Sequence, residues 1–351
     1  MLLLRDQAGV RRQETYEFTF TPTDYILPPD FRRIALTSNT QLPTIIHADC
    51  RQAMREMAPN SIDAIVTDPP YGLSFMGEKW DHGVPGTDFW LEALRVAKPG
   101  TYMLACGGTR TFHRLASAIE DGGWEVRDAI SWLYSSGFPK SRNLHGEWEG
   151  WGTALKPAWE PLILARKPLE GNVEQNVAKH RTGVINIDSA RLDMGEEYDP
   201  NSIQRQGASG KGKVGNAFGA GGLVGKEIPT FNPKGRWPAN VALDEGAAEI
   251  LDDDTGRTEF GGPSRFFFTS KASRRERGEG NNHPTVKPMA LMRYCVKLLT
   301  PPGGTVLDPF AGSGTTLLAA MEEGFNSVGI EREAEYVETI RTRIERMRSG
   351  S

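Results

Sequence analysis

Short runs of apolar and β-branched residues alternate with helical segments in two separate stretches of the chain. The run from Ile62 to Thr67 is typical of a buried strand, and a helical pattern follows it at about 89–97. Strands that alternate with helices of this length pack as a parallel sheet with helices on both faces. We therefore predict an α/β fold with a doubly wound sheet, built from residues 44–167 and 283–347.

The segment between these two stretches, residues 168–282, has a different composition. Turn-forming residues dominate it, and residues 203–241 alone hold nine glycines and six lysines or arginines against one acidic residue. Two interpretations are open: a loop-rich insertion without chemistry, or a region whose positive face contacts the substrate. Composition alone favours the first. Residues 1–43 form an N-terminal arm to which we assign no chemistry.

The overall composition excludes several classes of protein. The net charge is −4, so any contact with nucleic acid must come from a local basic face. The three cysteines lie far apart, and the histidines lack metal-ligand spacing, so we predict neither a disulfide framework nor a metal site. The chain has no apolar run long enough to cross a membrane, and we expect a cytoplasmic protein.

A glycine-rich turn follows the predicted strand at 305–307. Gly312-Ser313-Gly314 precedes a helix that begins at Thr315, and the next strand ends at Glu331. Glycines let the backbone approach a ligand, helix-opening N–H groups face polar atoms, and a carboxylate at the end of the second strand can accept both ribose hydroxyls. A third glycine is missing, which argues against NAD or FAD. We predict a cradle for another nucleotide-containing cofactor.

A second motif, Asp68-Pro69-Pro70-Tyr71, follows the buried strand at 62–67. Ligands of open α/β sheets bind at the carboxyl ends of the strands, and two prolines make this loop stiff. The carboxylate and the carbonyl group of Pro69 offer two acceptors for the two N–H groups of an exocyclic amine, while the tyrosine offers a flat face for stacking. The motif therefore suits a planar heterocycle such as adenine or cytosine.

Together these motifs resemble those of the amino-methyltransferases that act on DNA bases with S-adenosylmethionine. Asp68-Pro69-Pro70-Tyr71 matches the catalytic motif of the family, and the run from Asp308 to Thr316 matches its cofactor motif. The catalytic motif comes first, which is similar to the circularly permuted β class, and the run from His283 to Pro288 matches the helix-opening motif of that class. The resemblance implies a Rossmann-like methyltransferase sheet of the phage or bacterial type, with residues 168–282 as the target-recognition region.

The resemblance also implies a role for each matching residue. Asp68, Pro69, Pro70 and Tyr71 would engage the target base. The cofactor would be bound by side chains and backbone from several segments: Asp49 and Cys50 beside its adenine, Thr285 and Lys287 on its carboxylate, Asp308 near its amino group, Glu331 on its ribose, and Pro309, Phe310, Gly312, Ser313, Gly314 and Thr315 along its length.

Double-stranded DNA is the partner that the resemblance implies. We expect its phosphates to contact basic residues of the recognition region, namely Arg205, Lys211, Lys213, Lys234, Arg236, Lys271, Arg274 and Arg275. A homodimer and a cognate restriction nuclease are both left open. The tryptophans at 132, 148, 151 and 159 are expected in the core or in an interface rather than stacked on bases.

The predicted activity is methyl transfer to the N6 amine of adenine in a specific DNA sequence. The N4 amine of cytosine is the first alternative, because it is the same chemical group; within the family, aspartate at position 68 favours adenine. RNA or a protein glutamine is a second alternative, although those relatives usually carry asparagine before Pro-Pro-Tyr. A DNA-binding protein without catalytic activity is a third, and the intact motifs argue against it.

Overall fold

A nine-stranded sheet runs through the part of the chain that the structure, a computed structural model, describes. The described residues are 42–73, 83–139, 141–192, 235–256, 262–270 and 286–349. The first half of the chain contributes five strands and three helices: β1 (Thr44–His47), α1 (Cys50–Glu56), β2 (Ile62–Thr67), α2 (Thr87–Val96), β3 (Ala97–Cys106), α3 (Phe112–Asp121), β4 (Glu125–Leu133) and β5 (Trp159–Arg166).

The second half of the chain adds four strands and five helices within the described residues. In chain order they are α4 (Val173–His180), β6 (Val241–Asp244), α5 (Glu245–Thr255), β7 (Phe268–Ser270), α6 (Met289–Leu299), β8 (Thr305–Asp308), α7 (Thr315–Glu322), β9 (Asn326–Glu331) and α8 (Ala334–Ser349). None of the helices described here is long and apolar enough to span a bilayer.

The order of the strands brings distant parts of the chain together. The sheet reads β1-β9-β8-β2-β3-β5-β4-β6-β7, and every neighbouring pair is parallel except the two that involve β5. The predicted doubly wound α/β sheet is confirmed, but the expectation of a wholly parallel sheet is wrong at β5. That strand returns directly from β4, and a return without a crossover helix is necessarily antiparallel.

Both faces of the sheet are covered by helices, which explains why the central strand β2 is buried along its whole length. Ala64 and Val66 point to the face covered by α6 and α7. Ile65, between them, points to the opposite face, covered by α1, α2 and α3. Since side chains alternate along a strand, both faces of β2 must be apolar, which the continuous run of the sequence already indicated.

The described parts of the segment 168–282 hold more regular structure than its turn-rich composition indicated. Helices α4 and α5 and strands β6 and β7 lie within it, and the two strands extend the sheet beyond β4. Strands of three or four residues carry too little periodicity to be recognised in a sequence. Ala242 and Leu243 are nevertheless buried, so this part of the segment belongs to the main core.

Candidate active site

The two sequence motifs meet because β2 and β8 are neighbouring parallel strands, with Ile65 opposite Leu307. Asp68 follows the end of β2, and Asp308 ends β8, so both carboxylates lie at the same edge of the sheet. The hydroxyl group of Thr67 donates a hydrogen bond of 2.6 Å to Oδ1 of Asp308. This buried contact, across 241 positions of sequence, joins the catalytic loop to the cofactor turn.

The loop after β2 holds Tyr71 in a fixed orientation. Its hydroxyl group donates to Oδ1 of Asp68 at 2.9 Å, and its carbonyl oxygen accepts from the hydroxyl of Thr111 at 2.7 Å. The ring lies against Gly108, where an added Cβ atom would be 3.0 Å from Cδ2 of Tyr71. A larger residue at position 108 would therefore push the ring, so the glycine preserves the space that the tyrosine needs.

Lys287 and Glu160 complete a cluster around Asp68. The ammonium of Lys287 donates to Oδ2 of Asp68 at 2.8 Å and to the Tyr71 oxygen at 2.9 Å, and it lies 3.2 Å from Oε2 of Glu160. Tyr71 can also donate to that oxygen of Glu160, at 3.0 Å. Sequence analysis assigned Lys287 to the cofactor carboxylate; in the structure its ammonium contacts Asp68 and Tyr71, and the role on the cofactor stays a prediction.

Sequence analysis missed Glu160, the second residue of β5. Its only signal was a lone carboxylate immediately before the apolar run 161–165, all of which faces the interior. Charged residues are rarely buried unless they are paired with another group in the fold. That partner, Lys287, is 127 positions away by residue number, and the sequence offers no means of pairing them.

The electrostatics of the cluster keep its proton donors protonated. Burial raises the pKa of the Tyr71 phenol well above its usual value, and the charges of Asp68 and Glu160 raise it further. Burial alone would lower the pKa of the Lys287 ammonium, but the same two carboxylates outweigh that effect and raise it overall. With two carboxylates and one ammonium, the cluster attracts cations and the N–H groups of an amine.

The glycine-rich turn between β8 and α7 is held by the carboxylate that ends β9. Oε2 of Glu331 accepts from the N–H of Gly312 at 2.7 Å, and Oε1 accepts from the N–H of Glu333 at 2.8 Å. Gly314 has a φ of +81°, and a Cβ atom there would lie 2.9 Å from Cγ1 of Ile340. Glycine is therefore required at position 314 both by the left-handed backbone and by the packing of α8.

A buried arginine from α8 supports the same turn, and sequence analysis did not identify it. One terminal nitrogen of Arg343 donates to the carbonyl oxygen of Ser313 at 2.6 Å, to its hydroxyl at 3.1 Å and to the hydroxyl of Thr315 at 3.2 Å. The residue lies on the buried face of α8, between Ile340 and Ile344. Its periodic position among apolar residues was the signal that could have revealed it.

A cavity of about 430 Å³ joins the two motifs. Of the predicted site residues in the described part of the chain, all but Gly314 and Arg236 line it: Asp49, Cys50, Asp68, Pro69, Pro70, Tyr71, Lys287, Asp308, Pro309, Phe310, Gly312, Ser313, Thr315 and Glu331. Asp49 also caps α1, accepting from the N–H of Arg51 at 3.0 Å. Thr285 lies outside the described residues. One continuous cavity is thus lined by the glycine-rich turn and Glu331 as well as by the cluster around Asp68.

Comparison with known families decides what kind of protein carries this cavity. A family model described as DNA methylase matches residues 62–342, which include both motifs and most of the sheet. The chain belongs to the DNA methylase family. The predicted family is thereby confirmed, and DNA methylation is the activity of this chain. The permuted class stays a prediction that rests on the order of the two motifs.

Individual relatives are distant. The type II methyltransferase M.HindIII of Haemophilus influenzae is 23% identical over 349 residues, covering 82% of this chain and 90% of the relative. A crystal structure of an M1.HpyAVI–SAM complex matches with a TM-score of 0.47 and 18% identity, covering 86% of this chain and 99% of that chain. The cytosine-N4-specific PvuII DNA methyltransferase gives a TM-score of 0.44 and 15% identity, with coverage of 89% and 94%.

The basic residues assigned to DNA contacts fall mostly outside the described part of this methylase. Seven of them lie outside the described residues, and their role stays a prediction: Arg205, Lys211, Lys213, Lys234, Lys271, Arg274 and Arg275. Arg236 is described: its backbone pairs with Leu192, and its guanidinium donates to the carbonyl oxygen of Arg265 at 3.3 Å. It therefore helps to hold the segment around residue 236 in place.

The tryptophans of the methylase differ in their surroundings. Trp132 is buried and lines the cavity, so its assignment to the core is correct. Trp148 and Trp151 are exposed, and a place in the core is excluded for both. Trp159 lies edge-on to Phe112, with ring centroids 5.8 Å apart. The exposed pair belongs to the connection between β4 and β5, which begins and ends beside the cavity.

Proposed function

We propose that this methylase transfers a methyl group from S-adenosylmethionine to the exocyclic N6 amine of adenine in double-stranded DNA. One observation carries the proposal: Asp68 and Glu331, at the ends of β2 and β9, line the same cavity. Asp68 can accept hydrogen bonds from an amine, and Glu331 can accept them from a ribose. The methyl donor and the target base can therefore be held face to face. Most of the rate acceleration would then come from positioning and electrostatics.

The residues of the cradle fit S-adenosylmethionine. Glu331 presents a carboxylate at the end of a strand, where ribose hydroxyls can donate to it, and burial raises the pKa of this carboxyl. Phe310 packs against Phe89 with ring centroids 5.8 Å apart, which gives the cavity an aromatic wall for a heterocycle. When bound, the cofactor supplies an electrophilic methyl group on a positively charged sulfur. The net negative charge around Asp68 favours such a cation.

The other end of the cavity fits a planar base with an amine. Asp68 and the carbonyl group of Pro69 accept the two N–H groups of the amine and draw its lone pair out of conjugation with the ring. The face of Tyr71 stacks on the base. A base inside a duplex is out of reach, so it must leave the stack, which costs a few kcal/mol, and stacking on the tyrosine returns about 1–3 kcal/mol.

The hydrogen bonds around Asp68 show what must change when the amine arrives. Both of its oxygens are already engaged, by Tyr71 and by Lys287. Glu160 lies within 3.2 Å of the same ammonium and 3.0 Å of the same hydroxyl. We infer that Glu160 retains these two donors while the amine occupies Asp68, so the ammonium is never left without a partner inside the protein.

Transfer to the N4 amine of cytosine is the second candidate. The acceptors at positions 68 and 69 fit either amine, and aspartate rather than serine at position 68 favours adenine. The wider assignments stay proposals of the same kind: residues 168–282 as the recognition region, a homodimer, a cognate restriction nuclease, and a bacterial or phage-infected cytoplasm as the site of action.

The experiment that tests the function uses unmethylated plasmid DNA and S-adenosylmethionine with a tritiated methyl group. After transfer, the DNA is digested to nucleosides, and the labelled nucleoside is identified by chromatography. Label in N6-methyladenine is the expected result, and label in N4-methylcytosine would select the second candidate. Transfer by the Asp68→Ala variant at the wild-type rate would refute the proposed site.

A further inference from the structure

The connection between β4 and β5 forms a projection that the proposed mechanism does not use. We call residues 134–158 the finger. Its root is closed by a hydrogen bond of 2.9 Å from the N–H of Tyr134 to the carbonyl oxygen of Ala158. The ammonium of Lys156 donates across the root to the carbonyl oxygen of Ser135 at 2.6 Å.

Hydrogen bonds also pair the two arms of the finger. The N–H of Arg142 donates to the hydroxyl of Thr153 at 2.9 Å, and the N–H of Leu144 donates to the carbonyl oxygen of Trp151 at 3.0 Å. A 3₁₀ turn, Gly146–Trp148, reverses the chain. The described residues of the finger, 134–139 and 141–158, therefore form a hairpin-like element.

Large apolar side chains of the finger face the solvent. Trp148 and Trp151 are 56% and 62% exposed, and their rings meet edge to face with centroids 5.5 Å apart. Phe138 is 81% exposed and Leu155 is 92% exposed. Exposed aromatic side chains that contact each other, as Trp148 and Trp151 do, are typical of a site of interaction.

The finger rises from the rim of the cavity. Trp132, in the last residues of β4, and Glu160, the second residue of β5, both line the cavity and flank the finger on either side. The root is fixed further by Asp244, whose carboxylate oxygens accept from the N–H of Ser135 at 3.1 and 3.2 Å. Any duplex that delivers a base into the cavity must pass close to this element.

We propose that the finger inserts its tryptophan pair, Trp148 and Trp151, into the DNA beside the target base. This inference rests on the proposed function, because it is the extrusion of a base that opens a gap in the stack. Aromatic and apolar side chains that enter such gaps stabilise an unstacked duplex. One indole ring has the size and flatness to fill such a gap, and the second ring, perpendicular to it, supports it from the side.

The charges at the tip indicate which part of the DNA it contacts. Glu147 and Glu149 flank Trp148 and repel phosphate groups. The phosphate contacts must therefore come from elsewhere on the protein, and the indole rings are the groups of the tip that suit the bases. We commit to DNA as the occupant, because the chain belongs to the DNA methylase family and the finger joins two strands whose residues line the cavity.

The test compares two double variants with the wild type on unmethylated plasmid duplex. Trp148→Ala with Trp151→Ala removes both rings, and we expect kcat/KM for DNA to fall by about ten- to a hundredfold. Trp148→Phe with Trp151→Phe keeps aromatic rings and should stay within about threefold of the wild type. Leu91→Ala, which removes an exposed apolar side chain of α2 outside the finger, is the control.

Three further measurements separate insertion from other causes. Duplex DNA should quench part of the tryptophan fluorescence of the wild type, and this part should be lost in the double phenylalanine variant. The dependence of DNA affinity on salt should keep its slope in the double alanine variant, because no phosphate contact is removed. Calorimetry should show unchanged affinity for S-adenosylmethionine in both variants.

Three results would overturn the inference: full activity of the double alanine variant on duplex DNA, the same quenching in the double phenylalanine variant, or a change of oligomeric state of the alanine variant in sedimentation. The last would identify the finger as an interface between subunits. An inactive wild type would refute the proposed function instead, so the two failures are distinguishable.

Discussion

The ammonium nitrogen of Lys287 lies 2.8 Å from Oδ2 of Asp68, a residue 219 positions earlier in the chain. The contact occupies an oxygen that the target amine needs in the proposed mechanism. Lys287 is buried, so it cannot simply turn to the solvent when the amine arrives. Glu160 is the neighbouring acceptor, and it makes the exchange of partners at Asp68 feasible.

Asp68→Asn should reduce kcat for methyl transfer by about a hundredfold or more, because one accepting oxygen becomes an N–H₂ group that faces the donors of Lys287 and the target amine. The affinity for S-adenosylmethionine should change by less than about threefold, since the cradle lies on other strands. Tritium transfer and calorimetry measure the two quantities. Asp121→Asn, at an exposed position in α3, serves as the control. An equal loss of cofactor affinity would mean that Asp68 acts on the cofactor instead.

Glu160→Gln should lower kcat/KM for DNA by about tenfold, the effect of losing one charge-assisted hydrogen bond. Without the second carboxylate, Lys287 is bound more exclusively to Asp68, and the amine displaces it less readily. Steady-state kinetics on plasmid DNA give the value, and Glu120→Gln, a charge change at an exposed position of α3, is the comparison. Unchanged kinetics would show that the exchange of partners needs no help from Glu160.

Glu331→Gln should weaken the binding of S-adenosylmethionine by about tenfold or more. Both carboxylate oxygens accept backbone N–H groups, from Gly312 and Glu333, so the amide N–H₂ group of glutamine must face one of these donors. Calorimetric titration of the free enzyme measures the effect. Glu335→Gln, an exposed substitution in the first turn of α8, should bind the cofactor normally. Normal binding by both variants would exclude Glu331 from the cradle.

Arg343→Met should lower the free energy of unfolding by about 1–3 kcal/mol, because it leaves the carbonyl oxygen of Ser313 buried without its donor. Arg343→Lys should bind S-adenosylmethionine several-fold more weakly even where it is stable, since an ammonium does not reproduce the planar geometry of a guanidinium. Urea unfolding and calorimetry give the two values. Arg341→Met, at an exposed ion pair of the same helix, should cost less than about 0.5 kcal/mol. If Arg343→Lys binds the cofactor normally, the arginine supports the fold and not the cradle.

Asp308 gives the enzyme without cofactor a pH-dependent stability. Burial raises the pKa of this carboxyl to about 6, despite hydrogen bonds from Thr67 and Thr316 that lower it. The pKa of Asp308 in the folded state exceeds its value in the unfolded chain, so the protonated carboxyl group stabilises the fold. This stabilisation is complete below about pH 4 and is lost as the pH rises through about 6.

The stability of the wild type relative to Asp308→Asn should therefore fall between about pH 4 and 6, by an amount on the order of 3 kcal/mol. Urea unfolding at a series of pH values measures the difference between the two proteins. A difference that stays constant over this range would show that the carboxyl group of Asp308 has an ordinary pKa.

Much of the fold was predictable because its signals are local. The continuous apolar run of β2 indicates a strand buried on both faces, and the glycines before Thr315 indicate a tight strand-to-helix turn. The antiparallel direction of β5 was not predictable, since a strand has the same local pattern in either direction. Strands β6 and β7 were missed because they are too short for a periodic signal.

The sequence by itself determined the chemistry: an aspartate and a tyrosine on a proline-stiffened loop, a glycine-rich turn, and a glutamate at the end of the following strand. These features are encoded in neighbouring residues, because the backbone conformation of a short segment depends on only a few positions. Only the tertiary structure decided that Lys287 and Glu160 share the environment of Asp68 and that Arg343 supports the cofactor turn. Such contacts depend on the order and direction of strands that are far apart in the chain. Because the charged groups are buried, each one is stable only with the partner that the fold brings to it.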